Sequence, residues 1–279
     1  MMRLPTFELH QPTSLSEALA LGAASNGLVR FVAGGTDLWP NMKRRHESAD
    51  VVVSLRRVAE LSGVRGEAGG EIRIGAMTLL SDVAGNPIIR TAYSALARAA
   101  DSISSPAIRN MGTLGGNLCL DTRCTYYNQN EEWRKSIDFC LKEEGSVCWV
   151  APNSPRCWAI SASDTAPVLC ALDARVRLLS QGGEREIKLA DLYRDDGIDY
   201  LAKQPGEILT EIVLPPSDGV EMSFWKLRRR GSIDFAVLSV GIALRRDYAG
   251  RVEAARIYLG AIASAPIEAK DAAVELIGR

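Results

Sequence analysis

The sequence predicts an α+β fold built from two successive parts. Residues 14–216 alternate apolar strand-like runs with helical segments, which indicates a mixed α/β region. Residues 217–279 contain consecutive strand patterns and a terminal helix, which indicates an antiparallel sheet covered by a helix. A chain of 279 residues has room for about two domains and a sizeable core, so neither part should need disulfide bonds to fold.

Strand and helix signals follow each other closely in the first part. The motif Ser14-Leu15-Ser16-Glu17 is a capping box that begins an Ala- and Leu-rich helix ending near Ala24. Helical periodicity extends over residues 79–103 and is interrupted at Asn86-Pro87. Three apolar runs are expected to form buried strands, at residues 28–33, 49–55 and 71–78.

The later elements close the first part and form the second. A short helix running into a strand is expected at residues 163–180. A further strand at residues 206–216 ends in two prolines, which favours a domain boundary there. Three antiparallel strands and a final helix complete the chain, at residues 223–230, 235–247, 251–266 and 267–279, with the first turn at Gly231-Ser232.

Charge and composition exclude several classes of function. The net charge is −1 at pH 7, so no strong field attracts nucleic acid or an anionic membrane. No apolar run is long enough to span a bilayer and the N-terminus has no signal-peptide pattern, so we expect a cytoplasmic protein that binds neither membrane nor nucleic acid. With His10 and His46 as its only histidines, the chain gives little support to a histidine-based triad, and no catalytic side chain is predicted.

Two Gly-Gly segments are candidates for binding a diphosphate. The first glycine segment, AGGTDL (residues 33–38), lies between a predicted strand and helix, and the second, TLGGN (residues 113–117), belongs to a Gly-rich loop. Glycine lets the backbone approach a ligand closely, and free amides at a helix N-terminus favour anions. Neither segment matches the G-x-G-x-x-G or G-x-x-x-x-G-K-[ST] motif, which disfavours a Rossmann domain and a P-loop nucleotidase. On its own, the first segment is better explained as a tight turn, whereas the two segments together could hold opposite sides of one diphosphate.

Four cysteines follow the second glycine segment with the spacing C-x15-C-x7-C-x8-C. They are Cys124, Cys140, Cys148 and Cys157. Structural disulfides are rare in the cytoplasm, and the C-x(2–4)-C pairs usual for zinc are absent. The spacing leaves an iron–sulfur cluster, a zinc ion and no metal as open alternatives. The other two cysteines, Cys119 and Cys170, lie in apolar runs and are expected to be buried small apolar side chains.

Six ordered motifs give the chain a specific resemblance to a known family. They are FVAGGTDL, RIGAMTLLSDV, MGTLGGNL, SDTAPVLCALDA, GEILTEIVLP and SFWKLRRRGSIDFAVLSVGIAL, and they span nearly the whole chain. In this order they resemble the FAD-binding medium subunits of the xanthine dehydrogenase and carbon monoxide dehydrogenase family. The resemblance implies a two-subdomain FAD-binding module of the vanillyl-alcohol-oxidase type (residues 1–57 and 58–216). A C-terminal α+β domain like that of carbon monoxide dehydrogenase flavoproteins would follow (residues 217–279), shorter than in most relatives.

The resemblance also assigns cofactor-binding residues. The first glycine segment and the strand before it would bind FAD, largely through its diphosphate, with Phe31, Val32, Ala33, Gly34, Gly35, Thr36, Asp37 and Leu38. Thr113, Gly116 and Asn117 would hold the diphosphate from the other side. Asp164 is expected in the adenosine half, Leu209 near the flavin and Lys226 on the flavin side of the cofactor. On spacing alone, Lys226 would be interpreted as a surface lysine.

The cysteine insertion (about residues 119–158) narrows the resemblance. It is similar to the insertion in the β subunits of 4-hydroxybenzoyl-CoA reductases, which implies a [4Fe–4S] cluster bound by Cys124, Cys140, Cys148 and Cys157. Electrons from a ferredoxin-like donor would then pass through this cluster and FAD. The implied partners are a large molybdenum-cofactor subunit and a small subunit with two [2Fe–2S] clusters, in a dimer of heterotrimers. Two other functions stay open: the flavin subunit of an oxidative molybdenum hydroxylase or aldehyde oxidoreductase, and a zinc-stabilised scaffold without flavin.

Overall fold

The expected α+β fold is confirmed. A computed structural model describes residues 3–25, 27–67 and 69–279 and contains three β-sheets. Each sheet is formed by a separate stretch of the chain, so the sheets follow one another in sequence order.

The N-terminal sheet is parallel, with the strand order β1-β3-β2. Its strands are β1 (Glu8–His10), β2 (Val29–Val32) and β3 (Val51–Ser54). Parallel neighbours need crossover connections, and these are the helices α1 (Leu15–Ala24) and α2 (Leu38–Lys43). Strand β3 is buried on both faces, because Val51 and Val53 pack with Ala18 of α1 whereas Val52 packs with Met42 of α2. Two 3-10 helices follow, at Leu55–Arg57 and Ala59–Leu61.

The second sheet is antiparallel, with the strand order β4-β5-β8-β6-β7. Its strands are β4 (Val64–Arg65), β5 (Ile72–Gly75), β6 (Arg175–Ser180), β7 (Gly183–Lys188) and β8 (Ile208–Leu214). Ile74, Val176 and Ile212 lie side by side across its three central strands and are fully buried. The largest hydrophobic core therefore lies on this sheet.

A series of short helices follows β5 in the chain, most of them before β6. They are α3 (Leu80–Gly85), α4 (Pro87–Ala92), α5 (Ser94–Asp101), α6 (Pro106–Arg109), α7 (Leu114–Leu118), α8 (Glu131–Ser136) and α9 (Thr165–Ala171), with a 3-10 helix at Leu189–Leu192. The predicted break at Asn86-Pro87 separates α3 from α4, and a second break at Tyr93 separates α4 from α5. No helix among the described residues is both long and apolar enough to cross a membrane.

The C-terminal sheet has the order β12-β11-β10-β9 and is antiparallel. Its elements are β9 (Val220–Leu227), β10 (Leu238–Arg246), β11 (Val252–Gly260), β12 (Ile267–Glu268) and the helix α10 (Lys270–Val274). Two details differ from the sequence prediction. Residues 228–237 form a longer connection than the expected turn, and the segment predicted as the final helix begins with the strand β12.

The C-terminal sheet shares a core with the second sheet. Phe224 and Ala243 belong to the same buried cluster as Ile212. Helix α9 packs against β10 and β11, and Gly241 permits the approach, because a Cβ there would lie 2.6 Å from the backbone of Pro167. The two sheets are therefore packed as one body, and the boundary between residues 216 and 217 stays a prediction.

Candidate functional site

One large cavity collects the residues expected to bind FAD. Its volume is about 660 Å³, and both glycine segments lie on its wall. All the predicted cofactor-binding residues line it: Phe31, Val32, Ala33, Gly34, Gly35, Thr36, Asp37, Leu38, Thr113, Gly116, Asn117, Asp164, Leu209 and Lys226. The fold thus brings residues from widely separated parts of the sequence to one site, while their individual contacts with FAD stay predictions.

The first glycine segment touches the chain just before the second, backbone against backbone. A Cβ on Gly34 would lie 1.9 Å from the carbonyl oxygen of Met111 and 3.0 Å from Cα of Gly112. Gly35 has a φ of +72°, and a Cβ on it would lie 2.1 Å from the indole nitrogen of Trp39. The packing therefore requires both glycines, and the two segments form adjoining parts of the cavity wall.

The second glycine segment forms the helix α7 where the sequence predicts a loop. Thr113 caps this helix, since its Oγ1 accepts a hydrogen bond from the backbone N of Gly116 at 3.0 Å. Asn117 is held from the opposite side. Its Oδ1 accepts hydrogen bonds from Ser163 Oγ at 2.8 Å and from Thr165 Oγ1 at 2.6 Å. These contacts fix the orientation of α7 at the cavity wall.

Asp164 and Lys226 form a buried ion pair. Lys226 Nζ lies 2.6 Å from Asp164 Oδ2, and the two side chains are 5% and 8% exposed. The surface position that spacing alone favours for Lys226 is therefore wrong. Burial raises the pKa of Asp164, and the Lys226 ammonium group opposes that rise. Because the two side chains touch, they lie at one place on the cavity wall, whereas the resemblance implies the adenosine half for Asp164 and the flavin side for Lys226. Their separate roles toward FAD stay predictions.

Several polar residues on the cavity wall were not predicted from the sequence. They are Arg30, Asn41, Glu47, Asp121, Arg123, Tyr200 and Lys203. Asn41 is 1% exposed, and neither atom of its side-chain amide has a hydrogen-bond partner among the described residues. Its position one helical turn after Asp37 was the only sequence signal that it shares a face with the first glycine segment.

Asp37 links the first glycine segment to the cysteine insertion. Its carboxylate pairs with the Arg123 guanidinium and accepts a hydrogen bond from the backbone N of Asp121 at 3.0 Å. Burial raises the pKa of Asp37, whereas Arg123 lowers it. The Arg123 guanidinium also lies 5.4 Å from the ring centroid of Phe235, an exposed side chain in the connection after β9.

A second, smaller cavity collects the four predicted metal ligands, and we call it the cysteine cavity. Cys124, Cys140, Cys148 and Cys157 line it together with Tyr126, Tyr127, Leu141, Lys142, Trp149 and Val150. Three of the four thiols are nearly fully buried, whereas Cys124 is partly exposed. Burial raises the pKa of the Cys157 thiol to about 11. All six cysteines of the chain are free, so the four are brought together by folding and not by disulfides.

The cysteine cavity does not have the geometry of a single-ion site. Within the part of the chain that the structure describes, no group of three or more His, Cys, Asp or Glu side chains is placed to hold a metal ion. An iron–sulfur site is therefore not shown, and the proposed ligand role of the four cysteines stays a prediction. Cys170 is buried as expected, whereas Cys119 is only partly buried and lines the large cavity.

Comparisons with known proteins agree on one family. The family model for the FAD binding domain in molybdopterin dehydrogenase matches residues 5–217. The chain is 34% identical over 264 residues to the aldehyde oxidoreductase FAD-binding subunit PaoB of Escherichia coli, covering 91% of this chain and 81% of that protein. It is 30% identical over 275 residues to the nicotinate dehydrogenase FAD-subunit of Eubacterium barkeri, covering 98% of this chain and 80% of that protein.

Solved structures show the same relationship. The fold matches a chain of the Cu,Mo-containing CO dehydrogenase in its cyanide-inactivated form with a TM-score of 0.78 and 27% identity. That match covers 100% of this chain and 82% of the other. A chain of the carbon monoxide dehydrogenase from Hydrogenophaga pseudoflava also matches with a TM-score of 0.78, at 26% identity.

Proposed function

This chain belongs to the FAD-binding subunits of the molybdopterin dehydrogenase family, and we propose that it transfers electrons between FAD and partner subunits of a molybdenum enzyme. The observation that carries the proposal is the large cavity, whose wall unites both glycine segments with Asp164, Leu209 and Lys226. FAD supplies the redox chemistry when bound, while the chain binds and orients it and sets its electrostatic surroundings. No side chain is assigned a part in substrate chemistry.

The residues of the large cavity fit FAD. Gly34 and Gly35 line the cavity, and their lack of side chains lets the first glycine segment pack directly against Met111 and Trp39 there. The amide of Asn41 offers an unused donor and acceptor, and buried polar atoms without partners cost free energy until a ligand satisfies them. The Lys226–Asp164 pair supplies a fixed charge pattern at the same wall. The size of the cavity and the chemistry of these groups therefore suit a large polar cofactor such as FAD.

We further propose that the cysteine cavity holds a [4Fe–4S] cluster. A cluster of this kind takes one thiolate for each of its irons, so its ligands need not converge on a single point. Four cysteines lining one cavity meet this requirement, and the buried ring of Tyr127 lies beside them. Because its pKa is raised, the Cys157 thiol is protonated before iron binds, and it would release that proton on binding.

Oxidation of aldehydes or N-heterocyclic aromatic compounds is the reaction that the comparisons favour for the complete enzyme. The relatives are named as subunits of an aldehyde oxidoreductase and of a nicotinate dehydrogenase, and a dehydrogenase oxidises its substrate. In that case the partner subunit with molybdenum oxidises the substrate, and electrons leave through this chain to an acceptor such as NAD⁺ or a quinone. The partners would be a large molybdenum-cofactor subunit and a small subunit with two [2Fe–2S] clusters.

A second candidate is the β subunit of a 4-hydroxybenzoyl-CoA reductase. The cysteine insertion favours it, because its four cysteines and their spacing resemble that group. Electrons would then run in the opposite direction, from a ferredoxin-like donor through the cluster and FAD, and the substrate would lose its 4-hydroxyl group as water. A dimer of heterotrimers would be expected in the cytoplasm.

Turnover by the complete complex distinguishes these candidates. The chain is co-expressed with its partner subunits, purified anaerobically and assayed with aldehydes or nicotinate and an electron acceptor. A parallel assay supplies 4-hydroxybenzoyl-CoA and a chemically reduced low-potential donor. We expect FAD in the complex and turnover in the oxidative assay. Turnover only in the second assay would establish the reductase, and a complex with zinc but no flavin would contradict both and indicate a scaffold.

A further inference from the structure

A buried ion pair spans the wall between the two cavities. Asp121 lines the large cavity, and Lys142 lines the cysteine cavity. Lys142 Nζ lies 2.5 Å from Asp121 Oδ1, and the two side chains are 6% and 7% exposed. One pair of opposite charges therefore touches both proposed cofactor sites.

Lys142 is held in one position by several groups at once. Its Nζ donates to the carbonyl oxygens of Gly197 at 3.0 Å and Thr122 at 3.3 Å, and also to the Thr122 hydroxyl. The rings of Tyr127 and Tyr200 flank the ammonium group, with centroids 4.8 Å and 5.4 Å away. Because water is largely excluded, this charge is screened much less than that of a surface lysine.

Asp121 has one oxygen engaged and one free. Its Oδ1 accepts from Lys142, whereas its buried Oδ2 has no hydrogen-bond partner among the residues that the structure describes. Leaving such an oxygen unpaired is costly, and a donor group on a ligand in the large cavity would remove that cost. Asp121 is therefore both the counter-ion of Lys142 and an available acceptor beside the FAD site.

Resting on the proposed function, we propose that the Lys142–Asp121 pair sets the reduction potentials of the cluster and of FAD relative to each other. Reduction adds negative charge to a cofactor, so a nearby buried cation stabilises the reduced form and a nearby carboxylate destabilises it. Lys142 acts mainly on the cluster, because it lies beside the cysteines, and Asp121 acts mainly on FAD. Both are positioning residues, because they act on the cofactors through their charges and take no part in substrate chemistry.

Single substitutions should move the potentials in opposite directions. Lys142→Met removes the cation and leaves the carboxylate, which lowers the cluster potential. Asp121→Asn removes the carboxylate and leaves the cation, which raises the FAD potential most and the cluster potential by a smaller amount. We expect at least a tenfold change in the ratio of reduced to oxidised cofactor, which is about 59 mV for a one-electron couple and about 30 mV for a two-electron couple. The double variant keeps the wild-type net charge and should return close to the wild-type potentials.

The test is a redox titration of the full chain purified anaerobically, followed by EPR for the cluster and by visible absorbance for FAD. Lys135→Met is the matched control, because Lys135 is 59% exposed and pairs with Glu131 on the surface. It should move neither potential, since water and salt screen it. Equal potentials in all variants, or shifts of the same sign in both single variants, would overturn the proposal. Asp121→Asn is the more robust variant for folding, because Lys142 keeps its carbonyl acceptors.

Failure of this proposal can be told apart from failure of the proposed function. If the wild-type chain holds FAD and iron but the potentials do not follow the charges, only the role of the ion pair is refuted. If the wild-type chain holds FAD without iron, the cluster proposal fails. The FAD potential of Asp121→Asn then decides whether Asp121 acts on FAD. A chain that binds neither cofactor would refute both.

Discussion

Replacing Gly34 by alanine tests whether the contact between the two glycine segments is needed for FAD binding. The new Cβ would lie 1.9 Å from the Met111 carbonyl oxygen, whereas carbon atoms in ordinary contact stand about 3.5 Å apart. The segments must therefore separate by more than an ångström at the cavity wall. Overpacking of this kind costs about 1–3 kcal/mol. If that cost falls on the FAD-bound form, the dissociation constant rises about 5- to 140-fold, since each 1.4 kcal/mol is a factor of ten.

The assay is FAD titration of the deflavinated chain, followed by quenching of flavin fluorescence. Gly85→Ala serves as the matched control, because a Cβ on Gly85 meets nothing within 4 Å. We expect the control to bind FAD like the wild-type chain and Gly34→Ala to bind it at least about fivefold more weakly. Wild-type affinity in Gly34→Ala would refute the claim that this backbone contact shapes the FAD site.

Three further predictions concern other ionisable side chains. Burial and the nearby Arg134 guanidinium lower the pKa of His46 to about 4, so the unfolded chain takes up the proton first as pH falls. The free energy of unfolding, measured by urea titration, should therefore decrease by about 2 kcal/mol between pH 6.5 and pH 4, a value reduced to allow for the partial exposure of His46. The variant His46→Asn should lack this pH-dependent loss of stability. Lys226→Met leaves Asp164 unpaired and should lower the free energy of unfolding in urea by about 3 kcal/mol. The double variant with Asp164→Asn should recover most of that loss. Equal losses in the single and double variants would contradict a coupled pair. Cys148→Ser should abolish the cluster EPR signal while FAD absorbance stays, and simultaneous loss of both would mean that the insertion supports the fold.

The position of Lys226 shows how a sequence pattern can be ambiguous. In β9 the buried phase contains Phe224 and Lys226, while Trp225 and Leu227 are about half exposed on the other face. Both phases of the strand carry large apolar residues, so alternation alone does not say which face is inward. The ion pair with Asp164 resolves the choice, and it joins residues that are distant in the sequence. The resemblance to a family placed Lys226 at the cofactor where spacing did not.

Other features were beyond sequence reasoning for physical reasons. Strand β7 was missed because it is a polar edge strand, held to β6 by ion pairs such as that of Arg175 in β6 with Glu186 in β7. The link from Asp121 to Lys142 lies within an irregular segment, where no periodicity predicts which side chains meet. By contrast, strands with long apolar runs and the helix break at Asn86-Pro87 were predicted correctly, since burial and proline act locally.

Joint analysis of flavin, iron and zinc in this chain, purified anaerobically without its partner subunits, is the most direct test of the account. We predict one FAD and about four irons per chain, with little zinc and with an EPR signal on reduction. FAD with zinc in place of iron would contradict the cluster assigned to Cys124, Cys140, Cys148 and Cys157. A chain without FAD would contradict the central claim that the large cavity is the site of an electron-transferring flavin.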